Sequence, residues 1–290
     1  MLFRSAWTLG TNLENLILTG SAGINGTGNG LANLLVGNLA KNALAGAADH
    51  DILQGLEGND PLSDSGGNTL FDGGLGNDVM TGNSGNELFI GGAENDVITT
   101  GTGADIIAFN LGDGKDVVNA SSGADNTISL GGGIEYGDLS LTRSGADLVL
   151  NTGGTGKLTL AGWYAGNNNK SVVNLQVIAE AMAGFNAGGT DALLDNKIET
   201  FDFAALANAF NDAGQVNQWS LMNALLGAHL GGSDTEAIGG DLAYRYGRSG
   251  SLSGIGLTPA QEVIDAPGFG SNAQMLRPLA QLQQGAIRLS

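Results

Sequence analysis

The chain has 290 residues, of which 50 are glycine, 4 are proline and none is cysteine, and its formal net charge is −18. This composition excludes disulfide staples and thiolate metal sites, and it excludes collagen, which needs abundant proline and glycine at every third position. The negative charge argues against nucleic acid as a partner and favours multivalent cations, while no apolar run reaches the ~18 residues of a transmembrane segment.

Residues 1–27 are interpreted as a degenerate entry into a stack of repeats. They contain the apolar run of residues 16–18, which is followed by Gly20, Gly23 and Gly26. Because the segment begins in mid-pattern, we expect the chain to be part of a longer parent protein.

Residues 28–108 consist of consecutive nine-residue segments without an insertion. The eighth position of each segment is large and apolar, and the sixth carries an oxygen-bearing side chain. A unit this short cannot bury its apolar side alone, so successive units must stack as a solenoid. The eighth positions are Leu35, Leu44, Leu53, Leu62, Phe71, Met80, Phe89, Ile98 and Ile107, and the sixth are Asn33, Asn42, Asp51, Asp60, Thr69, Asp78, Glu87, Asp96 and Asp105.

The segment that begins at Gly73 shows the pattern most clearly, with the sequence GGLGNDVMT. The form Gly-Gly-x-Gly-x-Asp-x-apolar-x resembles the calcium-binding nonapeptide of the repeats-in-toxin (RTX, haemolysin-type) family. The resemblance implies a parallel β-roll, in which two segments form one coil, and calcium ions held between its glycine turns. The predicted fold is therefore mainly β: a parallel β-roll capped by an antiparallel sheet and followed by a small α-helical C-terminal region.

Segments of the same parity lie above one another in such a roll, so their sixth positions form two columns. Calcium takes roughly six to eight oxygens and commonly combines carboxylates with backbone carbonyls, and glycine lets a turn adopt positive φ. We predict several calcium ions on the stronger column, between the turns that begin at 55, 73 and 91, with Asp78 contributing to two sites. The predicted ligands there are Asp60, Asp78, Asp96, Gly55, Gly58, Asn59, Gly73, Gly76, Asn77, Gly91 and Asn95.

The opposite column is less regular. Asp51, Glu87 and Asp105 are also candidate calcium ligands, but Thr69 has no charge and Asp64 stands where a leading glycine is expected. The side chain of Glu87 is also one methylene longer than that of aspartate. We therefore expect weaker binding on this edge, or none.

Residues 109–178 depart from the nine-residue period and alternate as strands between glycine-rich turns. The resemblance implies that this segment closes the end of the roll, with Trp163 and Tyr164 in its core or at its edge. A glycan-binding role for these two aromatic residues is an alternative. Asp113 or Asp116 is a candidate partner for Asp96 in a further calcium site.

Residues 179–290 have a helical composition. A short amphipathic helix is predicted over residues 177–185, as the family resemblance implies. Phe203, Leu206 and Phe210 are expected on one face of a second helix.

Further helices are predicted downstream of these. Trp219, Met222 and Leu226 are expected to share the face of a third helix. Cap signals at Thr258 and Ser271 predict two later ones. The tail at 285–290 occupies the place of the segment that a type I secretion machine reads in RTX proteins, with an ordinary packed helix as the alternative.

The sequence contains no obvious catalytic centre, because its only histidines are His50 and His229 and neither lies in a metalloprotease motif. His50 is expected to face solvent and His229 to pack in the core or cap a helix. We expect a non-enzymatic calcium-binding module of a secreted bacterial protein, extracellular or at the cell surface, that folds on calcium and supports type I export. Two interpretations stay open: the C-terminal part of a secreted hydrolase or epimerase, and a surface adhesin or carbohydrate-binding module.

Overall fold

The computed structural model describes residues 6–285 except 120, 122–124 and 167–169. Each coil contributes one strand to each of two facing sheets, A and B. Neighbouring strands of the repeat region are parallel, and each residue pairs with the one two segments away, as Leu70 does with Ile52 and with Leu88. The predicted two-segment coil is therefore confirmed.

Sheet A lies on one side of the roll. In spatial order it contains β1 (Trp7–Thr8), β3 (Gly26–Thr27), β5 (Leu44–Ala45), β7 (Pro61–Ser63), β9 (Val79–Thr81), β11 (Val97–Thr99), β13 (Lys115–Val118), β17 (Lys157–Leu160), β16 (Asp147–Thr152), β15 (Leu139–Ser144) and β20 (Trp219–Ser220).

Sheet B lies on the other side. In spatial order it contains β2 (Asn15–Ile17), β4 (Leu34–Val36), β6 (Ile52–Glu57), β8 (Leu70–Leu75), β10 (Leu88–Ala93), β12 (Ile106–Asn110), β14 (Asn126–Gly131), β18 (Val172–Val177), β19 (Ile198–Asp202) and β21 (His229–Ser233). A separate two-stranded sheet joins β22 (Glu236–Ile238) to β23 (Ala273–Met275).

The eighth-position side chains fill the space between the two sheets. All nine are at most 1% exposed and belong to one continuous core. Phe71 and Phe89 stack in adjacent coils with ring centroids 4.9 Å apart. One buried apolar position per segment thus forms the interior of the roll, as predicted.

The end of the roll is closed by antiparallel strands that extend both sheets. Parallel pairing first continues through β13 and β17 in sheet A and through β14 and β18 in sheet B. Strands β15 and β16 then pair antiparallel in sheet A, and β19 and β21 do so in sheet B. The predicted combination of a parallel roll with antiparallel strands and a smaller helical part is confirmed.

The two aromatic residues of the closing strands lie in different surroundings. Trp163 is buried and meets the ring of Phe203 edge-on, with centroids 5.8 Å apart. Tyr164 is half-buried beneath the guanidinium of Arg143. The indole of Trp163 is therefore not available to stack on a sugar.

The described residues include five α-helices. They are α1 (Phe203–Asp212), α2 (Met222–Ala228), α3 (Gly240–Ser249), α4 (Leu257–Ile264) and α5 (Leu279–Leu282). In α1, Phe203, Leu206 and Phe210 are buried on one face, as predicted.

The other helix predictions need correction. Residues 177–185 form no α-helix, because Val177 is paired with Leu130 in sheet B and only a short 3₁₀ turn, Ala179–Ala181, follows. The predicted face of Trp219, Met222 and Leu226 is also wrong. Trp219 lies in a strand, and Met222 and Leu226 are exposed because α2 begins after the strand and buries Leu221 and Leu225 instead.

The two cap signals near the C-terminus have different outcomes. A helix is present at Thr258, but it begins at Leu257 and Gly256 occupies its N-cap without a side-chain hydrogen bond. No helix begins at Ser271, because residues 273–275 pair with β22. Residues 286–290 of the tail lie outside the described residues.

Residues 240–270, here called the helical cover, pack on the outer face of sheet B. Their apolar side chains, among them Leu242, Tyr246, Ile264 and Phe269, form a second core with apolar residues of the strands beneath. Each of these strands contributes the seventh position of its segment, and β10 and β12 add one residue each: Leu34, Ile52, Leu70, Leu88 and Ile106, with Ile90 and Ala108. The seventh positions on sheet A are partly buried at Ala43, Pro61 and Val97 and exposed at Val79. The apolar stripe of eighteen-residue period therefore marks the covered sheet.

Candidate calcium sites

One edge of the roll, here called the open edge, carries a ladder of carboxylates. The backbone N–H of Asp60 donates to Oδ1 of Asp78 at 2.7 Å, and that of Asp78 donates to Oδ1 of Asp96 at 2.7 Å. The ladder then continues from Asp96 N–H to Oδ1 of Asp116 at 3.0 Å. All four residues are at most 2% exposed. One oxygen of each of the last three carboxylates thus ties its coil to the preceding one.

The second carboxylate oxygen is the unusual feature of this ladder. Oδ2 of Asp60, of Asp78 and of Asp96 is buried and has no hydrogen-bond partner. A buried carboxylate oxygen without a partner costs free energy that a bound cation can offset. These three oxygens therefore indicate where a cation would bind.

The first glycine of each turn leaves the space into which these oxygens point. A Cβ on Gly55 would lie 2.6 Å from Oδ2 of Asp60 and would also overlap the carbonyl oxygen of Gly73. A Cβ on Gly73 would overlap Oδ2 of Asp78 and would lie 2.5 Å from the carbonyl oxygen of Gly91. A carboxylate and a carbonyl from the next coil thus converge on one small space. Oxygen donors of these two kinds fit calcium.

The space at Gly91 differs from the two preceding ones. A Cβ there would overlap Oδ2 of Asp96 and would lie 3.2 Å from Oδ2 of Asp116. Asp113 faces elsewhere, because its Oδ2 accepts a hydrogen bond from the hydroxyl of Tyr246 at 2.8 Å. Of the two residues considered as partners for Asp96, the geometry therefore brings Asp116 into the space.

The remaining predicted ligands of this edge lie around the turns. The asparagines form a ladder of their own near the surface, with Asn77 N–H donating to Asn59 at 3.0 Å and Asn95 Nδ2 donating to Asn77 at 3.2 Å. Gly58 and Gly76 have φ of 132° and 125°, values that L-residues rarely adopt. These residues shape the turn, whereas the aspartates supply the unpartnered oxygens.

Burial changes the acidity of the ladder. Loss of solvation raises the pKa of Asp60 to about 6, of Asp78 to about 7 and of Asp96 to about 8, and the backbone N–H donors oppose the shift. Neighbouring carboxylates add to the rise at Asp78 and Asp96. Without a cation, Asp78 and Asp96 in the folded ladder therefore remain partly protonated near neutral pH.

The opposite edge, here called the docked edge, has a broken ladder. Oδ1 of Asp51 accepts from Asn33 N–H at 2.7 Å, and Oδ1 of Asp105 accepts from Glu87 N–H at 3.0 Å. Between these rungs, Thr69 supplies a hydroxyl in place of a carboxylate. Burial and the adjacent carboxylate of Asp105 raise the pKa of Glu87 strongly.

The docked edge takes its name from its contacts with the helical cover. The amide of Asn68 donates to the carbonyl of Ile264 at 2.7 Å, and the amide of Asn86 donates to the carbonyl of Phe269. The ring of His50 lies 2.7 Å from Oδ1 of Asp265. These three side chains occupy the fifth position of their segments, where the open edge has the asparagine ladder.

Both histidines have protein partners. His50 retains partial exposure, but its ring bonds to the helical cover and not to a carboxylate of the roll. His229 follows the last residue of α2, and its Nε2 lies 2.7 Å from Oε2 of the buried Glu199. His229 thus occupies the C-cap position of that helix, as predicted.

Sequence reasoning gave little weight to Asp116 and treated Asp64 as an interruption. The signal at Asp116 is the run of residues 112–116, Gly-Asp-Gly-Lys-Asp, which repeats the turn pattern after a two-residue shift. Among the described residues no three acidic or histidine side chains converge as a metal cluster. A cation shell here would therefore depend largely on backbone carbonyls.

Comparisons with known proteins address the repeat region. The model of the RTX calcium-binding nonapeptide repeat (4 copies) matches residues 27–62, 45–80 and 81–115. A search of the curated proteins finds no match. Among solved structures, the extracellular lipase LipA from Serratia marcescens is similar at 15% identity with a TM-score of 0.22, and the alignment covers 53% of this chain and 40% of the lipase. The chain thus spans less than half of the length of that lipase.

In the part of the chain that the structure describes, none of the helices is both long and apolar enough to span a membrane.

Proposed function

The repeats of residues 27–115 are RTX calcium-binding nonapeptide repeats, and from this premise we propose that the chain is a module of a secreted bacterial protein that folds when it binds calcium outside the cell. The observation that carries the proposal is the ladder of the open edge, where Oδ2 of Asp60, Asp78 and Asp96 is buried without a partner. Each of these oxygens faces a glycine turn that offers a carbonyl or a second carboxylate.

The residues of the open edge would hold calcium in pairs of adjacent coils. Asp60 would act with the carbonyl of Gly73, and Asp78 with the carbonyl of Gly91, because these oxygens meet at the first glycine of each turn. Asp96 would act together with Asp116. Calcium supplies the positive charge that stacked carboxylates need in order to lie close together.

Folding is coupled to binding because the ladder uses both oxygens of each central carboxylate. Oδ1 of Asp78 accepts from the backbone of Asp60, and its Oδ2 is left for a cation. Without calcium, the carboxylates repel and the glycine-rich backbone loses much conformational entropy on ordering. With calcium, the free energy of binding becomes free energy of folding.

The same coupling suits export. Dissociation constants of about 10⁻⁴ to 10⁻³ M are typical of extracellular calcium modules and would leave the chain unfolded in the cytosol and folded outside. The lack of cysteine is compatible with this route. A type I secretion machine is the proposed partner.

We propose no catalytic role for the chain. If it is part of a secreted hydrolase or epimerase, the activity would reside elsewhere in the parent and this segment would be inactive alone. The adhesin alternative has weaker support, because Trp163 is packed against Phe203, so that of the two aromatic residues predicted for this role only Tyr164 is left as a contact for a sugar.

Far-UV circular dichroism of the full chain, with calcium and with excess EDTA, tests the proposal. We expect a β-rich spectrum in calcium and a largely disordered one in EDTA, restored when calcium is added again. Magnesium is the matched control, because it requires shorter, octahedral contacts and keeps several of its waters, so it should not restore the spectrum. A β-rich spectrum that persists unchanged in EDTA would contradict the proposal.

A further inference from the structure

The docked edge has an arrangement that the nine-residue pattern does not provide. In the segment of residues 64–72, an aspartate occupies the first position and Thr69 occupies the sixth, so the carboxylate stands at the first position instead of the sixth. Oδ1 of Asp64 is buried and receives no hydrogen bond from an N–H or hydroxyl donor, and the same is true of Oδ2 of Asp51 in the preceding coil of this edge. Asp51 is 0% exposed.

These two unpartnered oxygens point into one space. A Cβ on Gly46 would overlap Oδ2 of Asp51 and would lie 2.8 Å from Oδ1 of Asp64. The space is therefore equivalent to the spaces beside Gly55 and Gly73, here called cradles, but two carboxylates enter it.

The other oxygen of each carboxylate is already held by the protein. Oδ1 of Asp51 accepts from the backbone N–H of Asn33 at 2.7 Å. Oδ2 of Asp64 accepts from the hydroxyl of Thr69 at 2.7 Å. Each carboxylate is thus anchored through one oxygen and presents the second to the shared space. Thr69, which leaves a gap in the ladder, thus positions the carboxylate of Asp64 beside Gly46.

We propose that Asp51 and Asp64 form a two-carboxylate site for a divalent cation at the Gly46 turn. The inference rests on the proposed function, because the cation would be calcium. Two negative charges balance one divalent cation, whereas the cradles at Gly55 and Gly73 receive one carboxylate each. Affinity of calcium sites rises with the number of charged ligands, so this site binds more tightly than those two cradles.

The substitution Asp64→Gly gives a sharp test, because it restores the glycine that the repeat pattern favours. If Asp64 is only a defect in the pattern, this change should leave calcium binding unchanged or improve it. If Asp64 is a ligand, the variant should bind one calcium ion fewer per chain, and the lost ion should belong to the tightest class. Asp64→Asn should lose the same ion, and its side-chain carbonyl can still accept from Thr69.

Bound calcium per chain is measured by equilibrium dialysis with elemental analysis, on the full chain at graded free calcium. The control is Asp49→Asn in the same turn, where Oδ1 accepts from the backbone of His50, and it should keep the wild-type number of ions. Circular dichroism at saturating calcium shows that each variant is folded, because the other cradles still hold the roll.

Three results distinguish the outcomes. Loss of one tight ion in both variants of Asp64 supports the site. Retention of every ion overturns it, and a gain in stability of the variants would then identify Asp51 and Asp64 as a pair that shares a proton. A wild-type chain that binds no calcium contradicts the proposed function itself.

Discussion

The open edge and the docked edge are built from the same nine-residue pattern but are held together differently. On the open edge the carboxylate ladder is continuous from Asp60 to Asp116, and the fifth-position asparagines bond to one another. On the docked edge the ladder is interrupted, and fifth-position side chains such as Asn68 bond to the helical cover. The open edge is therefore joined by contacts within the roll, whereas the docked edge is also joined to the helical cover.

The outer faces of the two sheets show the same contrast. The seventh-position residue Leu70 on sheet B is 0% exposed beneath the helical cover, whereas Val79, at the same position on sheet A, is 47% exposed. The two residues make a matched pair for measuring what the cover contributes to the roll.

The largest expected effect is that of Leu70→Ala in saturating calcium. Truncation of a buried leucine should lower the free energy of unfolding by about 2–5 kcal/mol, whereas Val79→Ala should change it by no more than about 0.5 kcal/mol. Urea unfolding at fixed calcium measures both. Equal effects would mean that the cover does not stabilise sheet B in solution.

The next effect compares one carboxylate from each edge. Asp78→Ala removes a proposed ligand and leaves the N–H of Asp60 without its acceptor, a loss of about 1–3 kcal/mol that should raise the calcium midpoint of folding about tenfold or more. Asp105→Ala also leaves an N–H unpaired, at Glu87, but it removes the negative neighbour of that buried side chain. The calcium midpoint of Asp105→Ala should therefore rise less than that of Asp78→Ala.

Calcium titrations followed by circular dichroism give both midpoints. Equal shifts, or a larger shift for Asp105→Ala, would contradict the assignment of the open edge as the main calcium-dependent edge.

The roll itself was predictable because its determinants are local and repeated. A glycine turn and one apolar residue, such as Phe71, recur in every segment, and their period dictates the stacking. The cover was not predictable from the same pattern. Leu34, Ile52 and Leu70 recur at twice the period, so a nine-residue alignment merges them with Ala43, Pro61 and Val79.

Long-range pairing explains the errors outside the roll. Residues 273–275 follow a good cap signal, yet they form a strand because β22 offers them backbone partners. At the site, the positional pattern identified Asp60 and Asp78 as candidates but treated Asp64 as a fault. Only the side-chain geometry shows that the carboxylate of Asp64, held by Thr69, enters the space beside Gly46.

A third prediction concerns pH in excess EDTA. The raised pKa values of Asp60, Asp78 and Asp96 mean that the folded chain binds more protons than the unfolded chain, where aspartate titrates near 3.8. The contribution of these three carboxyl groups to the stability of the folded chain is fully present below pH 3.8 and is lost as pH rises through about 6 to 8. The fraction folded in EDTA should therefore be higher at pH 5 than at pH 8.

Two variants test whether Asp78 contributes to that pH dependence. Asp78→Asn replaces a group that titrates near pH 7 and should flatten the change between pH 6 and 8. Glu87→Gln should leave that change in place, because burial and Asp105 keep Glu87 protonated across this range. Circular dichroism at matched ionic strength measures both, and the reverse ranking would contradict the contribution of Asp78.

The smallest expected effect is that of His50→Ala on the docked edge. The ring of His50 bonds to Asp265, but both side chains are partly exposed, at 31% and 47%, so the loss should not exceed the ~0.5–1.5 kcal/mol of a net hydrogen bond. The backbone carbonyl of His50 still accepts from Gln261 at 2.8 Å, which keeps that contact with the cover. Asn95→Ala, at the fifth position on the open edge, is the matched control, and urea unfolding in calcium measures both. A loss for His50→Ala as large as that for Leu70→Ala would mean that the cover is held by this polar contact, whereas a small loss leaves burial of the seventh-position stripe as the main attachment.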